Sequence, residues 1–150
     1  IKMHQDREGT WITNDKAIKI VLKMIQPRND LARIIKHLST EKAVSLIKFY
    51  LEAIAETFPD AWGKNKNKEY RLTRPAGLEI TCGIFDRVLR DVNALNAATG
   101  KFPSKEDFVK VLAQISDARW DAEYFTQNGY TSAGGVKRYI DELLMKFPIH

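Results

Sequence analysis

A single cysteine, Cys82, is all the thiol chemistry this chain carries. That excludes an intramolecular disulfide scaffold and any metal site built on several thiolates. Long hydrophobic runs are missing too. No apolar stretch approaches the roughly 20 residues of a membrane span, and no signal peptide opens the sequence. A cytoplasmic protein with no membrane partner is the resulting expectation. Glycine and proline are sparse, at eight and five of 150 residues, which excludes collagen-like and linker-like chains. No nucleophile motif, P-loop or dinucleotide fingerprint occurs, so neither catalysis nor a cofactor is expected.

What remains is an ordinary globular mixture, 44% hydrophobic and 29% charged, of a length that suits one domain. The first residue is Ile1, which fits a C-terminal piece of a longer protein. Residues 1–13 lack helical periodicity and read as an extended arm, with 14–150 as one helical domain. Ala17, Ile20, Val21, Met24 and Ile25 recur at helical spacing up to Pro27, and Leu31, Ile34, Ile35 and Leu38 follow as a second stripe. Ser39-Thr40-Glu41 starts a third helix, whose stripe is Val44, Ile47, Leu51, Ile54 and Phe58. Phe49 and Tyr50 widen that stripe and predict a central helix.

The chain from Trp62 to Arg74 reads as a polar loop. Pro75 then opens one long helix, lined by Leu78, Cys82, Phe85, Leu89, Val92 and Leu95 and closed by Thr99-Gly100. Gly77 and Gly83 weaken it locally, and either glycine lets a neighbour approach closely. Ser104 and Asp107 form a capping box ahead of Phe108, Leu112 and Ile115. A short amphipathic segment around Trp120 to Phe125 precedes Asn128-Gly129. The last helix carries Val136, Tyr139 or Ile140, Leu143 and Leu144. No alternation of period two persists, so the predicted fold is all-α, a single domain of about six or seven helices.

Chemistry-bearing residues are few. His4, His37 and His150 have no ligand spacing, so no metal site is predicted. Cys82 lies on an apolar stripe and reads as a small buried hydrophobe rather than a nucleophile. Asp86, Arg87, Arg90 and Asp91 read as a solvated, ion-paired helix face.

Two basic clusters stand out. Lys16, Lys19, Lys23, Arg28, Arg33 and Lys36 face only Asp30 between residues 16 and 36, a balance of +5. Lys64, Lys66, Lys68, Arg71 and Arg74 face only Glu69, a balance of +4. Trp62 and Tyr70 flank this second cluster, offering flat rings for bases beside cations for phosphates. The plain alternative is that both rings anchor the loop to the core while the lysines stay solvated. A third feature, Thr131 to Gly135, leads into a helix with Lys137 and Arg138. Ser132, Gly134, Gly135, Lys137 and Arg138 are phosphate candidates there, against the plain reading of a capped helix start.

Several segments share a further character. They are Gly9-Thr10-Trp11-Ile12-Thr13, Phe58-Pro59-Asp60-Ala61-Trp62-Gly63 and Tyr70-Arg71-Leu72-Thr73-Arg74-Pro75-Ala76-Gly77. Ile115-Ser116-Asp117-Ala118-Arg119-Trp120 and Ser132-Ala133-Gly134-Gly135 complete the set. In this order they resemble the C-terminal helical region of bacterial DGQHR-domain proteins. That family includes relatives of the repressor of DNA phosphorothioation gene clusters. The Asp-Gly-Gln-His-Arg motif itself is absent, and His4-Gln5-Asp6-Arg7 does not reproduce it. The resemblance implies a motif-bearing, ParB-like part outside this chain, and a context of DNA modification, defence or transcription regulation. It transfers no functional residue. The expected role is a non-enzymatic accessory domain supporting DNA binding or regulation. The alternative is a module for a protein partner or a second copy of itself.

Overall fold

The computed structural model describes residues 38–63 and 68–148. The expected arm over 1–13, the two stripes before Leu38, the first basic cluster, Lys64, Lys66 and all three histidines lie outside them. The described residues form six α-helices, a 3-10 turn and no strand beyond one isolated antiparallel bridge. The all-α expectation holds.

Helix α1, Thr40–Thr57, starts where Ser39 accepts a hydrogen bond from the Lys42 amide at 3.2 Å. Ile47, Tyr50, Leu51 and Ile54 on its stripe are fully buried, which makes it the central helix. Helix α4, Lys105–Leu112, is its main neighbour. That helix opens with the predicted capping box, Ser104 and Asp107 each satisfying the other's backbone amide. A 3-10 turn, Ala113–Ile115, continues it. Tyr50 meets Phe85 edge-on at 4.8 Å and Phe108 at 5.5 Å, so three elements share one ring cluster.

The predicted long helix is two. Helix α2 spans Pro75–Gly83 and α3 spans Phe85–Leu95, joined through Ile84. Hydrogen bonds from the Ile84 amide to Ile80 and from the Val88 amide to Ile84 persist, so the chain bends without coming apart. Gly83 is why it can approach the last helix, α6 (Ala133–Leu144). A Cβ there would lie 2.9 Å from Ile140 Cγ1 and closer still to its Cδ1.

Helix α3 also ends earlier than expected, because Leu95 is 59% exposed while Asn96 is buried. Asn96 follows Phe85 by eleven residues, about 20° from it around the helix, whereas Leu95 falls about 80° to the other side. Asn96 therefore takes the inward place and donates to Asp107 Oδ2 at 3.0 Å. The Asp86–Asp91 face needs a similar correction. Arg87 does pair with Asp91 at 3.2 Å, but Asp91 is buried and only Arg90 of the four is exposed. The predicted solvated face is half interior.

Helix α5, Ala122–Asn128, is capped by Asp121, and Gly129 closes it in the left-handed conformation at φ 66°. Helix α6 lies against α2, with Val136, Tyr139 and Leu143 buried.

Candidate functional site

The polar stretch between α1 and α2 is a loop whose base is fixed. Leu72 and Thr73 are fully buried, and Thr73 donates to the Gly63 carbonyl at 3.2 Å, closing the loop on itself. Tyr70 bridges Asp121 as the one antiparallel pair among the described residues. The Arg71 amide donates to the Trp120 carbonyl at 2.6 Å, and the Ala122 amide donates to the Glu69 carbonyl at 2.7 Å. These bonds hold residues 69–71 against the start of α5 and leave the side chains of the stretch to choose their own environment. Lys68 and Arg74 are exposed and Arg71 is half-buried. Trp62 and Tyr70 are both partly buried against the core. The anchoring half of the plain reading therefore describes both rings.

Tyr70 has a second role, because it lines a groove of about 270 Å³. The walls come from the turn after α1 (Phe58 to Ala61), from Tyr70, and from the stretch Ser116 to Asp121. Three of the landmark segments quoted above thus converge on one surface feature. Trp62 is not part of it.

Trp120 forms one wall and is 3% exposed. Its ring meets Phe58 at 5.3 Å and Tyr139 at 5.6 Å, both edge-on. Its indole N–H is buried and has no hydrogen-bond acceptor among the described residues. Leaving such a donor unmet costs about 1–3 kcal/mol, which makes it the least satisfied polar atom of the groove. The neighbouring rings are treated differently. Tyr139 donates to the Arg119 carbonyl at 2.5 Å, and the Tyr124 and Tyr130 hydroxyls approach Glu142 at 3.5 and 3.4 Å. Burial pushes the Tyr139 and Tyr130 hydroxyls above the ordinary tyrosine range, so both stay neutral donors.

Charge at the groove comes from three side chains. Arg119 forks onto Asp121 with Nε–Oδ1 at 3.0 Å and Nη2–Oδ2 at 2.9 Å, and its guanidinium sits 4.5 Å from the Tyr124 ring centre. Asp121 also caps α5 by accepting from the Tyr124 amide. The Arg119 hydrogen bond, against a smaller opposing effect of burial, holds the Asp121 carboxyl below its ordinary value. Asp60 differs: it is exposed on the groove rim and makes no hydrogen bond or ion pair among the described residues. The groove therefore has an uncommitted acceptor on its rim at Asp60, while the unmet Trp120 N–H is buried out of its reach. Sequence reading missed both, since neither is part of a motif. The only available signal was their place in the landmark segments.

The five phosphate candidates lie elsewhere. Ser132 caps α6 by accepting from the Gly135 amide at 3.0 Å. Gly135 is buried where a Cβ would fall 2.8 Å from the Tyr130 Cα and against the Gly129 carbonyl. Arg138 donates to the Asn128 carbonyl at 2.7 Å, while Gly134 and Lys137 are exposed. The helix start uses its own cap and a close chain crossing, and none of the five lines the groove.

Cys82 is buried beside Tyr50, whose hydroxyl donates to the Thr81 carbonyl at 2.5 Å. Burial first, then Cys82, raises the Tyr50 hydroxyl well above its ordinary value. Among the described residues no three His, Cys, Asp or Glu side chains gather as a metal site, and no helix is long and apolar enough to cross a membrane.

No protein family, curated protein or solved structure matches this chain.

Proposed function

We propose that this is a non-enzymatic helical accessory domain of a DGQHR-like bacterial protein, supporting DNA binding in DNA modification, defence or transcription control. The carrying observation is that three of the five landmark segments behind the resemblance line one groove, and that Tyr70 of the basic stretch is among the lining residues. Tyr70 belongs to both features. Lys68 and Arg74 stay exposed on a backbone that is already fixed, so their cations meet phosphates with little ordering cost.

Charge distribution supports the same reading. The described residues carry fourteen basic and fifteen acidic side chains, so the helical body is close to neutral. The other ten basic side chains face only four acidic ones, and Lys64 and Lys66 are among them. A nearly neutral scaffold presenting concentrated cation suits phosphate contact without nonspecific coating of the whole surface.

A second reading has its own observation. Leu144, Met145 and Phe147 line an apolar groove of about 460 Å³ with Arg87 and Asp141 at its edge, and Met145 is 85% exposed. An exposed apolar surface of this kind suits a protein partner or a second copy. Sedimentation of the chain alone and with duplex or single-stranded DNA separates the two. A DNA-dependent shift with a monomeric free protein supports the first; concentration-dependent self-association with no DNA shift supports the second and overturns the first.

A further inference from the structure

We infer that Asn128-Gly129 is a site of spontaneous chemical modification, where the asparagine side chain becomes a carboxylate at a rate governed by Arg138. This stands apart from the nucleic-acid reading above.

The chemistry needs only water. The Gly129 amide nitrogen gives up its proton and attacks Asn128 Cγ. An N–C bond forms, the bond from Cγ to Nδ2 breaks, and Nδ2 leaves as ammonia carrying a proton. Water then opens the cyclic imide. Breaking the new N–Cγ bond gives aspartate. Breaking the bond from that nitrogen to the main-chain carbonyl carbon gives isoaspartate, whose main chain is longer by a methylene. Nothing is oxidised or reduced. A side chain on the following residue hinders the attack and restricts its backbone, so glycine is the most permissive successor. The chain has seven asparagines, and Asn128 is the only one followed by glycine. Asn128 and Gly129 are both exposed, so water reaches the imide.

Local structure sets the rate. Attack requires the Asn128 side chain to swing onto the next amide, and three hydrogen bonds oppose that movement. Asn128 Nδ2 donates to the Tyr124 carbonyl at 2.8 Å. The Gly129 amide donates to the Thr126 carbonyl at 3.3 Å. Arg138 Nη2 donates to the Asn128 carbonyl at 2.7 Å, on the same peptide unit that must react. The first two bonds belong to the last turn of α5, and a helix of seven residues has little stability of its own. They are lost together when that turn frays. Arg138 reaches in from α6, with its guanidinium 5.8 Å from the Tyr130 ring centre. It is a positioning residue that keeps the reactive peptide closed.

The products do not suit the turn. The Gly129 carbonyl accepts from the Ser132 hydroxyl at 3.2 Å and lies where a Cβ on Gly135 would fall. A longer main chain displaces that carbonyl, so isoaspartate loosens the crossing of α5 and α6. Aspartate keeps the chain length but sets a carboxylate against the Tyr124 carbonyl, at the negative end of the helix.

Incubation of the whole chain at mildly alkaline pH tests the inference. Isoaspartyl methyltransferase labels the product, and the tryptic peptide of residues 120–137 holds Asn128 as its only asparagine. Label should accumulate on that peptide, faster at higher pH, and be absent in Asn128→Gln. Arg138→Gln, at an exposed position, should quicken it about tenfold by removing one charge-assisted hydrogen bond from the closed state. The natural chain in urea should react faster still. Circular dichroism confirms that Arg138→Gln is folded, and the urea comparison tests the gate without any variant. No label on residues 120–137, label that persists in Asn128→Gln, or a rate unchanged by Arg138→Gln or by urea overturns the inference.

Discussion

Two ring clusters hold this protein together, and they are built on different rules. Tyr50, Phe85 and Phe108 meet where α1, α3 and α4 cross, and all three are fully buried. Their only polar atom, the Tyr50 hydroxyl, is given to a backbone carbonyl inside the core. Phe58, Trp120, Phe125, Tyr130 and Tyr139 meet where short helices and turns cross, and Tyr130 stacks on Tyr139 at 4.7 Å. Here the rings carry several polar tips, and chain crossings replace helix stripes. The first cluster is closed to the outside. The second borders a groove and leaves one donor, Trp120 Nε1, unmet. The closed cluster satisfies its polar tip, whereas the second leaves the buried Trp120 N–H without an acceptor among the described residues.

The sharpest way to break the first cluster is Phe108→Ala. A cavity among fully packed rings should cost about 3–5 kcal/mol in urea denaturation, the largest single effect expected. A loss near 1 kcal/mol would mean that the helical core is not the dominant source of stability.

The second cluster should be most sensitive at its chain crossing. Gly135→Ala forces a methyl into the Gly129 carbonyl and should cost about 2–3 kcal/mol. Gly134→Ala, one residue earlier with open space around it, should be neutral or stabilise by up to about 1 kcal/mol. Equal effects at the two positions would refute the close crossing.

Tyr139→Phe comes next. It strands the Arg119 carbonyl at the groove and should cost about 1–2 kcal/mol, with Tyr50→Phe as the matching change in the closed cluster. A larger loss at Tyr50 is expected, since its surroundings exclude water more fully.

The smallest effect concerns pH. Burial alone would raise the Asp107 carboxyl. Hydrogen bonds from Asn96 and from the Ser104 backbone and hydroxyl, helped by Lys101, instead bring it down to about 2. Because the folded value lies below the unfolded one, this stabilisation is present above pH about 4 and is lost as pH falls towards about 2. Asp107→Asn should therefore cost on the order of 1 kcal/mol at neutral pH and flatten that acid limb. An unchanged limb would show that Asp107 is not its source.

The two clusters also differ in how far they could be read from sequence. The stripe Ile47–Leu51–Ile54 and the Ser104–Asp107 box follow from 3.6-residue periodicity and capping chemistry, which act within one turn or two. Leu95 and Asn96 show the limit: counting apolar residues placed Leu95 inside, whereas helix geometry put polar Asn96 there with Asp107 as partner. The close approach at Gly83 involves Ile140, far along the chain, so no local rule could locate it. The groove was least legible, because Asp60, Tyr70 and Trp120 meet only after two loops close. Tyr70 stands out in the sequence through its lysine neighbours, whereas Trp120 reads there as the start of a short amphipathic segment and as a landmark.

The central claim, nucleic-acid contact by the basic stretch beside the groove, is tested most directly by the salt dependence of oligonucleotide affinity. Fluorescence anisotropy with a labelled single strand, between about 50 and 200 mM salt, compares the natural chain with one in which Lys64, Lys66, Lys68, Arg71 and Arg74 are neutralised to glutamine. The account predicts a steep loss of affinity with salt for the natural chain, and weaker binding with a shallower slope for the variant. Affinity that ignores salt, or that is the same in both proteins, would contradict it.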